Sequence, residues 1–120
     1  MDMRGKCAVA GVGLTEMGKV YGRTVTDLAA EAIYGALDNA GLRPHDVDGL
    51  LVNAGLEQGL GPGLQNALGF TDLRLLNHMN AFGSTACAMV QFAALAIGAG
   101  MARAVVCVFA DAPLRPDRGA

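Results

Sequence analysis

The sequence contains no tryptophan, few other aromatic residues and little charge. Aromatic residues make up 5% of its 120 residues, charged residues 17% and apolar residues 52%. With a net charge of -2 and no basic stripe, the chain lacks the positive charge and the stacking surfaces that nucleic acids require. The length suffices for one domain with a core. A monomer usually carries more charge than this, so we expect another chain or segment to cover part of its surface.

Cysteine is also sparse, with three residues at wide spacing: Cys7, Cys87 and Cys107. No Cys-x-x-Cys pair or cysteine–histidine cluster is present, so the sequence predicts no metal site. Cys7 and Cys107 lie in apolar, strand-like runs, where cysteine usually serves as a small buried residue. Unpaired cysteines fit a reducing compartment, and residues 1–6 lack the apolar stretch of a signal peptide. We therefore expect a cytoplasmic protein.

No Asp, Glu, Lys or Arg occurs between Asn80 and Ala102. Such a stretch is long enough to be considered as a membrane span. It has glycines near both ends, however, and four polar positions: Asn80, Ser84, Thr85 and Gln91. We therefore interpret residues 84–100 as a buried helix of a globular protein and expect no membrane partner.

Apolar periodicity predicts strands that alternate with helices. The best-defined helix runs from Val25 to Ala40, with Thr24 as its N-cap, Gly41 after its last residue and Pro44 preventing its continuation. Strands alternating with helices predict an α/β domain with a parallel sheet. The other predicted elements are strands at 6–12, 50–53, 73–78 and 104–109, a short helix at 64–68 and the uncharged helix at 84–100.

The predicted helix at residues 84–100 is apolar on all sides, and Gln91 is its only strongly polar side chain beyond the first turn. A helix with this pattern is buried on all sides. Because a single sheet covers only one side, we expect a second layer from another chain or from a C-terminal half. The predicted domain is thus a half-domain over residues 1–111, and residues 112–120 form a flexible tail.

Three segments of the chain carry a family resemblance in their order and spacing. They are Gly22-Arg-Thr-Val-Thr-Asp-Leu-Ala-Ala-Glu-Ala, Asp46-Val-Asp-Gly-Leu-Leu-Val and residues 80–108. Together they resemble the N-terminal part of the thiolase superfamily, in particular its sterol-carrier-protein thiolase-like group of lipid-transfer proteins and acetyl-CoA acetyltransferases. The resemblance implies the N-terminal half of a thiolase fold, a βαβαβα-β parallel-rich sheet with a buried third helix, truncated before the fifth strand. It also implies that the catalytic histidine and the second cysteine, which the family's C-terminal half supplies, are absent from this chain.

The position of the nucleophile depends on how the chain is aligned with the family, in which a cysteine at the start of the third helix attacks the acyl-CoA carbonyl. One register gives this role to Cys87, because Thr85-Ala86-Cys87 resembles the Thr-Ala-Cys of β-ketoacyl synthases. The other register counts back from Gly100, the glycine that ends the helix: Gly83 lies 17 residues before it and Cys87 only 13. That register places Gly83 at the nucleophile position. We favour it, and we expect Cys87 to be a small core residue one turn deeper.

A glycine cannot carry an acyl group, so the resemblance implies three alternatives. The first is an acyl-CoA-handling protein of the acetyl-CoA C-acyltransferase type that lacks its nucleophile and is inactive as a lone chain. The second is an aldolase-like or lipid-transfer relative that works with a partner subunit. The third is a non-catalytic structural half-domain that dimerises through residues 73–82. In each enzyme reading a coenzyme A thioester is the substrate, no cofactor is expected, and a second copy or a partner chain covers the third helix.

Three further residues are candidates for substrate binding: His78, Asn80 and Ser84. His78 ends a predicted strand just before the third helix, although a histidine without a spaced partner is more often structural. Asn80 and Ser84 open the uncharged run. Asn53-Ala54-Gly55 also resembles a segment of short-chain dehydrogenases, but that family's Tyr-x-x-x-Lys pair and its complete glycine-rich loop are missing.

Overall fold

The computed structural model of the chain describes residues 2–53, 60 and 62–112. Three strands form one parallel sheet in the order β2–β1–β3, so β1 is the central strand. The predicted alternation of strands and helices is therefore confirmed from residue 25 onward. The elements are α1 (Val25–Ala40), β1 (Gly49–Asn53), α2 (Pro62–Leu68), β2 (Leu75–His78), α3 (Thr85–Gly98) and β3 (Val105–Phe109), with 3₁₀ turns at Pro44–Asp46 and Phe82–Ser84.

Helix α1 begins and ends at the predicted residues. The Thr24 hydroxyl accepts from the Asp27 N–H at 3.0 Å, and the Asp27 carboxylate accepts from the Thr24 N–H at 3.1 Å. This reciprocal capping box satisfies donors that the first turn would otherwise leave free. Gly41 adopts a φ of 72° at the other end, a conformation that glycine enters without steric cost. The caps and the apolar stripe together explain why α1 was predictable.

The helices cover both faces of the sheet. Because successive residues of a strand point to opposite faces, Leu50 and Val52 of β1 pack against α1 and α2, whereas Leu51 packs against α3. Every residue of β1 is buried. The larger cluster, on the α1 and α2 side, includes Ala29, Ile33, Leu37, Leu64, Leu68 and Val108. The smaller cluster, on the α3 side, contains Leu51, Leu75, Met89, Ala93 and Ala96.

The predicted strand at residues 6–12 is wrong: this segment forms neither helix nor strand. Its glycines place it on the flank of α1 instead, because a Cβ at Gly11 or Gly13 would overlap backbone atoms of α1. The Val12 N–H donates to Asn39 Oδ1 at 2.9 Å. Val9 is 78% exposed, and Cys7 is exposed and free. An apolar pattern predicts that a segment is buried, but it does not indicate which element the segment packs against. In the described part of the chain β3 pairs with β1 alone, so residues 6–12 do not join the sheet.

The third helix, for which the sequence predicts a second covering layer from another chain or segment, is covered on one side in this chain. Met89 and Ala93 of α3 pack onto the sheet, whereas Cys87, Val90 and Leu95 on the other side of the helix are exposed. One covering layer is present and the described residues supply no second one. No helix in the described ranges has the length and hydropathy needed to cross a membrane. Residues 113–120 of the predicted tail lie outside the described residues.

Candidate functional site

The carboxyl ends of the strands and the start of α3 meet at one edge of the sheet. The strands run parallel, with Val52 opposite His78 and Asn53 opposite Phe109. Helix α3 begins seven residues after β2 ends, at Thr85. Ligands of open parallel sheets bind at the carboxyl ends of the strands. This edge, with residues 78–87, is therefore the candidate site.

Asn53 connects the end of β1 to the loop that leads into α3. Its side-chain N–H donates to the Met79 carbonyl at 2.7 Å, and Asn53 is only 6% exposed. The Met79 N–H in turn donates to the Val52 carbonyl at 2.8 Å, and the Asn53 carbonyl accepts from the Ala110 N–H at 3.2 Å. One buried amide thus fixes where the chain leaves β2 relative to the other two strands.

Polar side chains hold the loop before α3 in one shape. The buried Thr85 hydroxyl accepts from the Ala81 N–H at 2.8 Å and donates to the Phe82 carbonyl at 2.7 Å. Ser84 Oγ donates to the Ala81 carbonyl at 2.8 Å, and Asn80 Oδ1 accepts from the Phe82 N–H at 3.0 Å. Asn80 and Ser84, both predicted as substrate-binding residues, therefore already have partners in the loop and help to shape it.

Phe82 and Gly83 form the exposed tip of this loop. Phe82 is 88% exposed and adopts a φ of 51°, a left-handed conformation that is costly for a residue with a bulky side chain. Gly83 is exposed, and a Cβ built on it would meet nothing within 4 Å. Gly83, which the favoured register predicts at the nucleophile position, thus lies exposed just before the helix, and it has no side chain.

The amino end of α3 has no side-chain cap. Ser84 occupies the N-cap position without bonding to the helix N–H groups, and the first turn contains no acidic residue. Backbone carbonyls of the preceding 3₁₀ turn accept from the first N–H groups instead: the Thr85 N–H donates to the Phe82 carbonyl and the Ser84 N–H to the Ala81 carbonyl. The helix dipole places partial positive charge at this end.

The structure separates the predicted site residues into two groups. Gly83, Ser84 and Asn80 lie together in the loop before α3. His78 is exposed at the end of β2, where it pairs with Val52, and its side chain makes no hydrogen bond in the described part of the chain. Cys87 is exposed in the first turn of α3, so the expectation that it is a core residue is wrong.

The described residues also form a cleft that contains none of the predicted site residues. This shallow cleft, of about 140 Å³, is lined in part by Glu16, Leu28 and Asp111. Among the described residues, no group of three His, Cys, Asp or Glu side chains is placed to hold a metal ion.

Comparison with known proteins gives two curated relatives of similar sequence, while no protein-family profile matches the chain. One is the "Steroid side-chain-cleaving aldolase" of Thermomonospora curvata, 38% identical over 104 residues, which are 86% of this chain and 26% of the relative. The other is the "17-hydroxy-3-oxo-4-pregnene-20-carboxyl-CoA lyase" of Mycobacterium tuberculosis, also 38% identical over 104 residues, 87% of this chain and 27% of the relative. The chain thus spans about a quarter of the length of these relatives.

Solved structures of similar shape give the fold. The "Ltp2-ChsH2(DUF35) aldolase" superposes with a TM-score of 0.75 at 39% identity, over 83% of this chain and 26% of that chain. The 3-oxoacyl-[acyl-carrier-protein] synthase III of Aquifex aeolicus superposes with a TM-score of 0.71 at 22% identity, over 84% of this chain and 34% of that chain. A priming β-ketosynthase of polyketide biosynthesis superposes with a TM-score of 0.66 at 22% identity, over 74% of this chain and 28% of that chain. The chain has a thiolase-like α/β fold. This confirms the predicted fold class, whereas the comparisons do not single out the sterol-carrier-protein type.

Sequence reasoning missed two residues that build the site. From the sequence, Asn53 belongs to a predicted strand and to a dehydrogenase-like segment, and Thr85 to the uncharged run and to Thr85-Ala86-Cys87, but neither has a predicted role in the site. Both are buried and both bond to the loop between β2 and α3. A polar residue at the end of a buried apolar strand is the available signal for Asn53. The sequence offered no comparable signal for Thr85, because its partners are backbone atoms.

Proposed function

We propose that the chain is part of an aldolase-type enzyme that cleaves a carbon–carbon bond in the acyl side chain of a coenzyme A thioester. The observation that carries the proposal is Gly83: the nucleophile position at the start of α3 is open and has no side chain to hold an acyl group. The two curated relatives, named as an aldolase and a lyase, support the same reaction class. They favour the aldolase-like alternative over the acyltransferase reading.

A retro-aldol reaction does not need the missing nucleophile. A base removes the proton from a hydroxyl group on the third acyl carbon, and the bond between the second and third carbons breaks. The electron pair passes to the second carbon as a thioester enolate, which then takes up a proton. The products are a ketone or aldehyde and a shortened acyl thioester, and no acyl–enzyme bond forms. The start of α3 has no side-chain cap and no acidic residue in its first turn, so the positive end of the helix dipole suits the enolate oxygen, because fixed dipoles stabilise charge where it develops.

The proposed enzyme acts together with a partner. The side of α3 that carries Val90 and Leu95 is exposed, although the helix contains no charged residue. An apolar helix face of this kind marks an interaction site. The solved relative is described as the Ltp2-ChsH2(DUF35) aldolase, which names two components. We therefore assign this face to a partner subunit or to a further part of a longer polypeptide. The alternative is a dimer in which two copies pair through residues 73–82.

Acyl transfer through Cys87 is the second candidate function. It is favoured by one observation: Cys87 is exposed in the first turn of α3. An exposed thiol at this position is accessible to a thioester carbonyl, whereas a thiol in the core is not. The substrate would still be an acyl-CoA, and the acyl group would form a thioester with Cys87 Sγ while coenzyme A leaves as the thiol.

One experiment separates the candidates. The chain is incubated with 3-hydroxy-3-methylbutanoyl-CoA, whose cleavage yields acetone and acetyl-CoA, and separately with acetyl-CoA. Binding or cleavage without a covalent adduct, measured by calorimetry, product analysis and intact mass, supports the aldolase proposal. An acyl adduct that disappears in Cys87→Ser overturns it in favour of acyl transfer. A chain that binds neither ester overturns both and leaves the non-catalytic half-domain, whereas lack of turnover alone does not, because the proposed enzyme acts together with a partner.

A further inference from the structure

Gly83 is a glycine that neither the backbone nor the local packing requires. Six other described glycines hold a positive φ, and Gly11, Gly13 and Gly49 lie where a Cβ would meet a neighbour closer than 3.0 Å. Gly83 meets neither condition: its φ is not positive, and a Cβ would find open space. Gly35 and Gly63 also meet neither condition, but of these three only Gly83 lies in the loop before α3, at the candidate site. The space beside Gly83 is therefore open where a ligand would approach α3.

The surroundings of Gly83 favour an apolar occupant of that space. The neighbouring Phe82 side chain is exposed, and so are Cys87 and Val90 of the adjoining helix. No charged residue occurs from Leu75 to Ala102. Such a surface suits the acyl part of a thioester better than the phosphates of coenzyme A, which attract arginine and lysine.

We propose that Gly83 is a specificity-determining residue, whose missing side chain admits acyl groups that are fully substituted at the third carbon. The proposal rests on the proposed carbon–carbon cleavage. A carbon that leaves as a ketone carries a hydroxyl group and two further carbon substituents, and it is therefore wider than the planar carbonyl that a thiolase nucleophile meets. Any side chain at residue 83 would occupy the volume that these substituents need.

The test uses two size-graded variants, Gly83→Ala and Gly83→Val, and Gly63→Ala as a matched control. Gly63 also lacks a positive φ and a neighbour within 4 Å, and it lies on α2, across the sheet from α3. Dissociation constants are measured by calorimetry for acetyl-CoA, 3-hydroxybutanoyl-CoA and 3-hydroxy-3-methylbutanoyl-CoA. Thermal unfolding is measured for every variant, and we expect neither Gly83 variant to melt below the unmodified chain.

We expect Gly83→Val to weaken binding of the dimethyl-substituted ester by about tenfold or more, the scale on which a single methylene is discriminated in a pocket. Gly83→Ala should have a smaller effect, and acetyl-CoA binding should change less than about twofold in all variants. Equal affinities in all variants would overturn the inference and leave the proposed function standing. An equal loss of all three esters in Gly83→Val would also overturn it, because size selection requires a difference between them. If the unmodified chain binds no ester, the proposed function fails and the inference fails with it.

Discussion

The Asp48 carboxylate accepts a hydrogen bond from the Ala104 N–H at 2.9 Å, while the Asp48 N–H donates to the Ala104 carbonyl at 3.1 Å. The same carboxylate accepts from the Arg103 N–H. On its other side, the Asp48 carbonyl accepts from the N–H groups of Arg74 and Leu75 at 2.7 and 3.1 Å. One residue therefore aligns the beginnings of all three strands. By setting their register, it also sets where their carboxyl ends meet α3.

Replacing Asp48 by alanine should lower the free energy of unfolding by about 2 kcal/mol, because two backbone N–H groups lose a charged acceptor. Asp48→Asn keeps one acceptor oxygen and should lose less. The measurement is urea unfolding followed by circular dichroism. Asp72→Ala is the control, since Asp72 is an exposed loop carboxylate. Equal stabilities of the Asp48 and Asp72 variants would contradict this role.

Asn53→Asp should lower the free energy of unfolding by about 1–3 kcal/mol, because the part-buried Met79 carbonyl would lose its donor and face a second acceptor. The variant places a carboxylate where the amide N–H donates at 2.7 Å. Hydrogen exchange at residues 79–85 should accelerate more than exchange in α1, since the bond holds the loop before α3. A uniform change over the whole chain would show that Asn53 contributes only to global stability.

Alanine at Gly13 and alanine at Gly35 should act in opposite directions, although both positions lie at the contact between residues 7–14 and α1. A Cβ at Gly13 would overlap the Ala32 carbonyl oxygen, whereas a Cβ at Gly35 meets only Gly13 Cα, at 3.6 Å. Gly13→Ala should therefore release the segment and expose it to proteases. Gly35→Ala should stabilise the chain by about 0.5–1 kcal/mol, because alanine is the better helix former. Limited proteolysis and urea unfolding test both, and a protected segment in Gly13→Ala would contradict the packing described above.

The sequence predicted helix α1 well and failed for the segment at residues 6–12. Local signals define the helix: Thr24, Asp27 and Gly41 each act within a few residues of its ends. Strand formation instead depends on pairing with a neighbouring strand. No residue within residues 6–12 indicates whether this segment can pair with the free edge of β3. The same limit applies to α3. Its uncharged sequence predicted burial, and the structure shows which side, with Met89 buried and Val90 exposed.

The candidate site was predictable as far as it is contiguous in sequence. Asn80, Gly83 and Ser84 lie in one loop, so their proximity required no knowledge of the fold. The bond from Asn53 to Met79 spans 26 residues, and it exists only because β1 and β2 pair in one particular register. The prediction that Cys87 is a buried core residue failed for a related reason. Helical spacing predicts which residues share a face, but it does not predict whether another layer covers that face.

Acid should remove a contribution to stability that comes from Asp27. Hydrogen bonds from the Thr24 backbone and side chain lower the pKa of Asp27 below its ordinary value of 3.8. A carboxyl group whose pKa is lower in the folded than in the unfolded chain stabilises the folded chain fully at a pH above its unfolded-state pKa. This stabilisation is lost as the pH falls through its folded-state pKa. Urea unfolding between about pH 6 and pH 2 should show this loss in the unmodified chain and a smaller one in Asp27→Asn. If the free energy of unfolding depends on pH in the same way in the unmodified chain and in Asp27→Asn, the capping box is not formed in solution.

The three thiols should differ in reactivity by their burial. Cys7 and Cys87 are exposed and free, and Cys107 is partly buried. Burial raises the pKa of the Cys107 thiol, and its Sγ lies 3.7 Å from the Met89 carbonyl oxygen. Because the thiolate is the reactive form, alkylation near neutral pH should label Cys7 and Cys87 first and Cys107 much later. Raising the pH or adding urea should reduce the difference.

Peptide mapping after timed alkylation identifies each thiol, and Cys107→Ala should remove only the slow phase. Equally fast labelling of Cys107 would mean that α3 does not stay on the sheet, since Cys107 packs in the cluster beneath that helix. Slow labelling of Cys87 would carry a different meaning. It would show that a second copy of the chain covers the exposed side of α3 in solution, and dilution should then restore the fast reaction because the covering contact is intermolecular.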